Sequence, residues 1–474
     1  VVTYDLKEEK EKDHLLNYLQ QAKEQDLRIS LKLHNATDQH IKDLTDYIEV
    51  IEDLDVRSKG FTDVEPLSKA SNLRKLLLVH TSVKDISPLN TAPNLKILNL
   101  CSSSKEMLTG LDKLSQLEEL NVRVPQTTEI NGVALPPNLK RLDLSVTSLR
   151  DLQALAKLTQ LQVLYLNNTR VSDISALGAL VQLQTLGLSG TQVSEVTGLR
   201  NLTQLRYLDL GKTQVSDVSA LGTLLQLKAL NLSDTRVSKV KAFGTLDQLQ
   251  SLNLERTSIS DLSAFSTLLQ LQILNLNSTK VKDVTALGNL TQLQALHLIG
   301  APVSDVSALG TLLQLKTLEL WGIPASEVSA LGKLTQLETL DLRDTQVHDV
   351  SAFNKLSQLK TLILHNTQVN DVTALGNLTQ LETLGLAATP VDDVSALGKL
   401  AQLKRLTLYN TPVSDVTALG NLTQLKRLTL YNTPVSDVSA LSTLPQLTML
   451  YLHNTKVKDV SELRSKNTEL KIHM

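Results

Sequence analysis

Residues 402–416 read QLKRLTLYNTPVSDV, and residues 424–438 read QLKRLTLYNTPVSDV again, 22 positions later. This pair belongs to a longer series. Outward from it, a Leu-x-Leu-x-x-Thr core returns every 22 residues, from Thr147 to Thr279 and from Thr345 to Thr455, with an earlier Thr81. Lys59, Ser103, Pro125, Ala301 and Ile323 hold the remaining grid points, each still preceded by Leu or Val five and three positions earlier. From 59 to 455 that makes 19 repeats with no insertion or deletion. A fixed period of this length marks a stacked array, in which one unit cannot bury its own apolar face and neighbours must cover it.

Residues 160–181 show what one unit contains. Leu164 and Leu166 alternate with polar neighbours, the mark of a short strand with one buried face. Val171, Ile174, Leu177 and Leu180 follow at spacings of three, which predicts a tight helical turn rather than a second strand. Strand, corner and turn therefore succeed one another in every unit. The class is α/β, a solenoid.

The pattern resembles leucine-rich repeats, in particular the 22-residue class of internalins and SDS22-like proteins. Asp85-Ile86-Ser87-Pro88-Leu89 is similar to the internalin turn, and Gly288-Asn289-Leu290-Thr291-Gln292-Leu293 to the segment beside it. The resemblance spans roughly residues 54–463. It implies a curved solenoid with a parallel β-sheet on the concave face and short 3-10 or helical turns on the convex face. The family usually places Asn where this chain has Thr. Residues 1–28 read as an N-terminal helical cap, 29–463 as the solenoid of about 20 repeats, and 464–474 as a C-terminal edge or the start of a further segment. Within the first part, Leu15, Leu16, Leu19 and Ala22 give one apolar helical stripe. Thr37 or Asp38 caps a further helix carrying Ile41, Leu44, Ile48 and Ile51, the convex side of a divergent first repeat.

Composition narrows the functional classes. The chain has 474 residues, 47 Lys plus Arg against 49 Asp plus Glu, a net charge of −2, and one cysteine. Near-neutrality argues against a general polyanion binder, and a single Cys101 excludes internal disulfides. No apolar run is long enough to span a membrane. Phosphate-loop, zinc-protease and nucleophile-elbow motifs are absent from the sequence. The expectation is a protein that is not an enzyme, with no cofactor, no metal and no small-molecule substrate.

Several columns of the grid read as structural. The Thr column predicts hydroxyls that satisfy backbone groups at the strand-to-turn corner. Gln, nine positions before each Thr from Gln160 to Gln446, predicts an amide ladder. The position four after Thr is acidic in 17 of 19 repeats. Such a column could bind calcium, but it lacks the Gly-containing loops and clustered acids of a calcium motif, so capping of the following turn is preferred. Phe61, Phe243, Phe265 and Phe353 all replace inward aliphatic residues.

The outward strand positions carry the functional signal. They lie six, four and two before the Thr and vary between repeats. Tyr165, Tyr207, Trp321, Tyr409, Tyr431 and Tyr451 all fall on them, whereas Phe goes inside. Aromatics with a polar handle on an uncovered sheet fit a protein interface. Two regions follow. Arg405, Tyr409, Arg427, Tyr431, Tyr451 and His453 share three adjacent strands, and His297, Ile299, Glu319, Trp321, Arg343 and His365 span four. Each reads either as an interface or as cross-strand packing on a solvated sheet, where aromatics also have high strand propensity. The expected partner is a protein rather than nucleic acid. The internalin resemblance implies a microbial secreted or surface protein engaging a host factor. The alternatives are an SDS22-like intracellular scaffold regulating an enzyme such as a phosphatase, and the recognition arm of a larger ubiquitin ligase or GTPase.

Overall fold

A computed structural model describes residues 1–101, 105–123 and 133–474, so Ser103 and Pro125 of the grid lie outside the described residues. They form two compact units, Val1–Asn231 and Leu232–Met474. Among the described residues, each unit holds eleven strands. In the first they run from Val2–Asp5 to Ala229–Asn231, and in the second from Ser251–Asn253 to Lys471–His473. Within each unit every strand pairs in parallel with the next, so the unit forms an open ladder. The alternation of the repeat explains the layers. The inward leucines, such as Leu164 and Leu166, are wholly buried, as are all four Phe. On the far side of this core, 3-10 segments such as Ser175–Ala179 follow the strands and stack on one another.

The register follows the 22-residue grid. Leu142 lies opposite Leu164, and Leu406 opposite Leu428. The corner after each strand is a built device. From Thr147 to Thr455 the Thr hydroxyls donate to the carbonyl three residues earlier, as Thr213 Oγ1 does to Leu210 O at 2.6 Å and Thr169 Oγ1 to Leu166 O at 2.8 Å. Thr81 Oγ1, by contrast, is buried with no partner. Before each of these Thr stands a left-handed residue, with φ between 53° and 69° from Val146 to Asn454. Asn, Asp or Gly occupies most of these positions, the residues that tolerate that conformation best.

The acidic column caps turns. Asp173 Oδ1 accepts the N–H of Ser175 at 2.8 Å, and the same bond recurs at Asp217, Asp305, Asp415 and Asp459. The Gln column needs correction. Its members from Gln160 onward are mostly exposed, and no amide-to-amide bond joins them among the described residues. Where the shorter Asn stands in that column, Asn72, Asn94 and Asn138 donate instead to backbone carbonyls of the preceding repeat. The amide ladder forms elsewhere, along the left-handed column. Asn432 donates to Asn410 at 2.7 Å and Asn454 to Asn432 at 2.8 Å.

The first repeats differ from expectation in two ways. The helix Glu9–Glu24 buries Leu15, Leu19 and Ala22, but a strand, Val2–Asp5, precedes it and pairs with Ile29–His34. In the next repeat Thr37 does cap, in a capping box with His40, yet the helix is only Asp38–Asp43. A 3-10 segment, Thr45–Val50, continues it, and Ile51 opens a strand instead of closing the helical face. The β-branched run Val50-Ile51 disfavours further helix and fits a buried strand. A register shift between Ile29 and Ser30 absorbs the one extra residue of this repeat.

Candidate functional site

The outward strand positions stay uncovered, as the alternation requires. Tyr207 and Trp321 are exposed at 39% and 41%, and Tyr165, Tyr409, Tyr431 and Tyr451 are half-buried among their neighbours. Tyr165 and Tyr207 belong to the first unit; the other candidate residues belong to the second.

In the first unit Arg141 sits over the Tyr165 ring at 5.0 Å. Tyr165 itself lies against Gly187 of the next strand, where an added Cβ would approach its ring at 2.8 Å. Burial and the nearby Asp209 hold the Tyr207 hydroxyl above the ordinary tyrosine range.

The region around Trp321 is closed upon itself. His297 Nδ1 and Glu319 Oε2 are 2.7 Å apart on adjacent strands. Arg343 stands 5.0 Å over the Trp321 ring and is fixed by Asp341, to which its Nε donates at 2.9 Å. That bond raises the Arg343 pKa further. The indole N–H donates to Asp344. Arg343, the one Arg or Lys on the outward positions of this stretch, has Asp341 beside it. His365 lies over Gly385, whose missing Cβ leaves room for the imidazole, and its Nδ1 accepts the Ala387 N–H at 2.9 Å. Burial, with Arg343 nearby, pushes its pKa down, which keeps it the neutral acceptor this bond needs.

The region around Arg405 is a row of rings and cations. Arg405 faces Arg427 in register on neighbouring strands. Tyr409 and Tyr431 stack at 4.4 Å and 8°, with His365 6.2 Å beyond Tyr409. Arg427 stands 4.9 Å over Tyr451 and donates to its hydroxyl at 3.0 Å. The Tyr451 hydroxyl donates to Met449 Sδ at 3.8 Å, its ring stacks on His473 at 4.6 Å, and His453 lies 6.4 Å from His473. The Asn410–Asn432–Asn454 ladder runs beside these rings and pins the corner that carries Tyr409 and Tyr431.

Comparison with known proteins follows from this geometry. The leucine-rich repeat region family matches residues 200–320 and 300–456, and the two-copy leucine-rich repeat family matches 137–179. The chain belongs to the leucine-rich repeat family. No curated protein sequence matches it. Among solved structures, the internalin InlF of Listeria monocytogenes is 28% identical with a TM-score of 0.50, over 68% of this chain and 83% of that one. A leucine-rich repeat protein of Leptospira interrogans is 19% identical with a TM-score of 0.61, over 91% and 98%. The plant peptide hormone receptor RGFR1, in complex with RGF2, is 17% identical with a TM-score of 0.59, over 94% and 88%. The last two share the fold alone.

Several residues of this leucine-rich repeat surface escaped the sequence reading. Asp344, Gly385 and His473 each complete a contact with a candidate residue on a neighbouring repeat. The preference for Asn, Asp and Gly just before the Thr was a legible signal for the first of them. Among the described residues, no group of three or more His, Cys, Asp or Glu is placed to hold a metal ion, and no helix is long and apolar enough to cross a membrane.

Proposed function

We propose that this chain is a non-enzymatic protein-interaction solenoid whose working surface is the uncovered sheet of the second unit, centred on Arg405, Tyr409, Arg427, Tyr431, Tyr451 and His453. One observation carries the reading. Every Phe is sealed in the core, whereas the three tyrosines of this region are lined up, half-exposed and already ordered by one another and by Arg427. Side chains that are fixed before binding lose little entropy on contact, which is what an interface anchor requires. The Trp321 region, whose one outward guanidinium is already paired with Asp341, serves as a secondary contact. Likeness to a Listeria internalin supports the version in which the chain is microbial, secreted or surface-exposed and engages a host protein.

The test is retention of partners on the immobilised chain. Tyr409→Ala/Tyr431→Ala should keep the wild-type circular dichroism and reduce retention of the captured protein by about tenfold or more, as expected for a central aromatic pair. Equal retention by the variant would remove this face as the interface.

A further inference from the structure

Resting on that reading of the face, we infer that the partner segment it holds is acidic and extended. The charge pattern carries this. Between Thr383 and His473 no outward strand position bears Asp or Glu, while Arg405, Arg427 and Lys471 all stand there. Arg405 and Arg427 lie directly opposite each other, an arrangement that costs the free sheet energy and is relieved by an anion placed between them. Lys404 and Lys426 add two cations at the entries of the same strands. Lys404 is bridged by Glu382 at 2.8 Å, but among the described residues no carboxylate lies within 4.0 Å of Arg405, Arg427, Lys426 or Lys471. The contrast with the Trp321 stretch is internal to the unit. There Asp341 pairs with Arg343, and Glu319 is held by the His297 ring; here the positive charge is left for something else to meet.

The rings decide between a carboxylate-rich protein and a nucleic acid. Base stacking needs a free aromatic face. Tyr409 has Tyr431 against one face and His365 towards the other, and Tyr451 is held between Arg427 and His473, so among these three rings Tyr431 alone keeps an uncovered face, too few for a run of stacked bases. What the Arg pair offers outward is hydrogen-bond donors, whereas the Tyr451 hydroxyl already donates to Met449 Sδ. Arg427 uses one of its five N–H groups on Tyr451 and keeps its planar fork for a carboxylate. A flat row of such donors across parallel strands suits an extended chain with regularly spaced acidic side chains.

The experiment uses the full chain and a fluorescent peptide of alternating Glu and Ser. Its Gln-for-Glu analogue and an oligothymidylate of matched charge serve as competitors, read by anisotropy. The Glu peptide should bind at least about tenfold tighter than the Gln analogue, and that advantage should vanish near 1 M salt, where screening acts within roughly 3 Å. Arg405→Glu/Arg427→Glu should abolish the preference, with Arg405→Gln/Arg427→Gln as the second variant should the first fail to fold. Lys239→Glu/Lys241→Glu, an equal charge change on the exposed turn side, should leave it intact. Equal binding of the Gln analogue, tighter binding of the oligothymidylate, or an equal loss in the Lys variant would each overturn the inference. Loss of partner retention in the Tyr409→Ala/Tyr431→Ala chain without any Glu preference would refute the acidic chemistry alone; unchanged retention would refute the face as well.

Discussion

At the residue scale the corner before each Thr is the most demanding position in the repeat. Val146 adopts φ 60° there, although a β-branched side chain meets its own backbone in that conformation, and it is 52% exposed, so little burial compensates. Asn168 occupies the same place one repeat later with φ 56°. Val146→Asn should therefore raise stability by about 1 kcal/mol, read as a higher urea midpoint at unchanged slope. An unchanged or lower midpoint would show that the left-handed corner carries no strain at Val146. The Thr hydroxyls beside this column were legible from sequence in their role. The Gln column was misread because identity in every repeat is also what an exposed position shows when whole repeats are copied.

At the element scale the Asp turns tie stability to pH. In Asp173, Asp217, Asp261, Asp349, Asp393 and Asp437 the backbone N–H and hydroxyl of the Ser two residues on hold the carboxyl below its ordinary range. Thr supplies the same bonds to Asp283, Asp371 and Asp415. A carboxylate whose pKa is lowered by folding contributes its full stability above the unfolded value near ~4 and loses it as pH falls through the lower folded value. The urea midpoint should thus be flat from neutral pH to the upper carboxylate range and drop below it. Asp217→Asn, Asp305→Asn and Asp415→Asn together should flatten the drop. A decline already complete at higher pH would point to other groups. A tight helical turn was readable from the spacing of Val171, Ile174, Leu177 and Leu180, and the structure makes it the 3-10 segment Ser175–Ala179. The short helix Asp38–Asp43 was not, because Ile48 and Ile51 continue the helical spacing although they sit in a 3-10 segment and a strand.

At the scale of the whole molecule the repeat is the unit of change. Each repeat contacts its neighbours, so removing a full period should leave the remaining contacts in register. Deletion of residues 402–423 joins Ala401 to Gln424 and keeps every column in phase. The product should unfold cooperatively with unchanged ellipticity per residue and should bind the Glu peptide more weakly, having lost Arg405 and Tyr409. Deletion of residues 402–422 shifts the alternation by one and turns inward leucines outward. It should lose cooperative unfolding, and equal behaviour of the two deletions would contradict a strict register.

The sequence by itself determined the period, the parallel pairing of equivalent positions, the burial of the inward Leu and of each Phe, and which side chains face outward. These follow from alternation along a strand, a local property of the backbone repeated without a gap. Only the tertiary structure decided which outward side chains meet. Trp321 reaches Asp344, Arg427 reaches Tyr451, and Tyr451 stacks on His473, while Gly385 makes the space that His365 fills. Such partners are chosen by rotamer and by the room left on the neighbouring strand, neither of which a column of letters records. The same is true of charge. The sequence lists nearly equal numbers of acids and bases, but their separation into a stretch around Trp321 where the one Arg is paired and a basic one around Arg405 without carboxylates exists only where strands lie side by side, because an ion pair depends on distance in space.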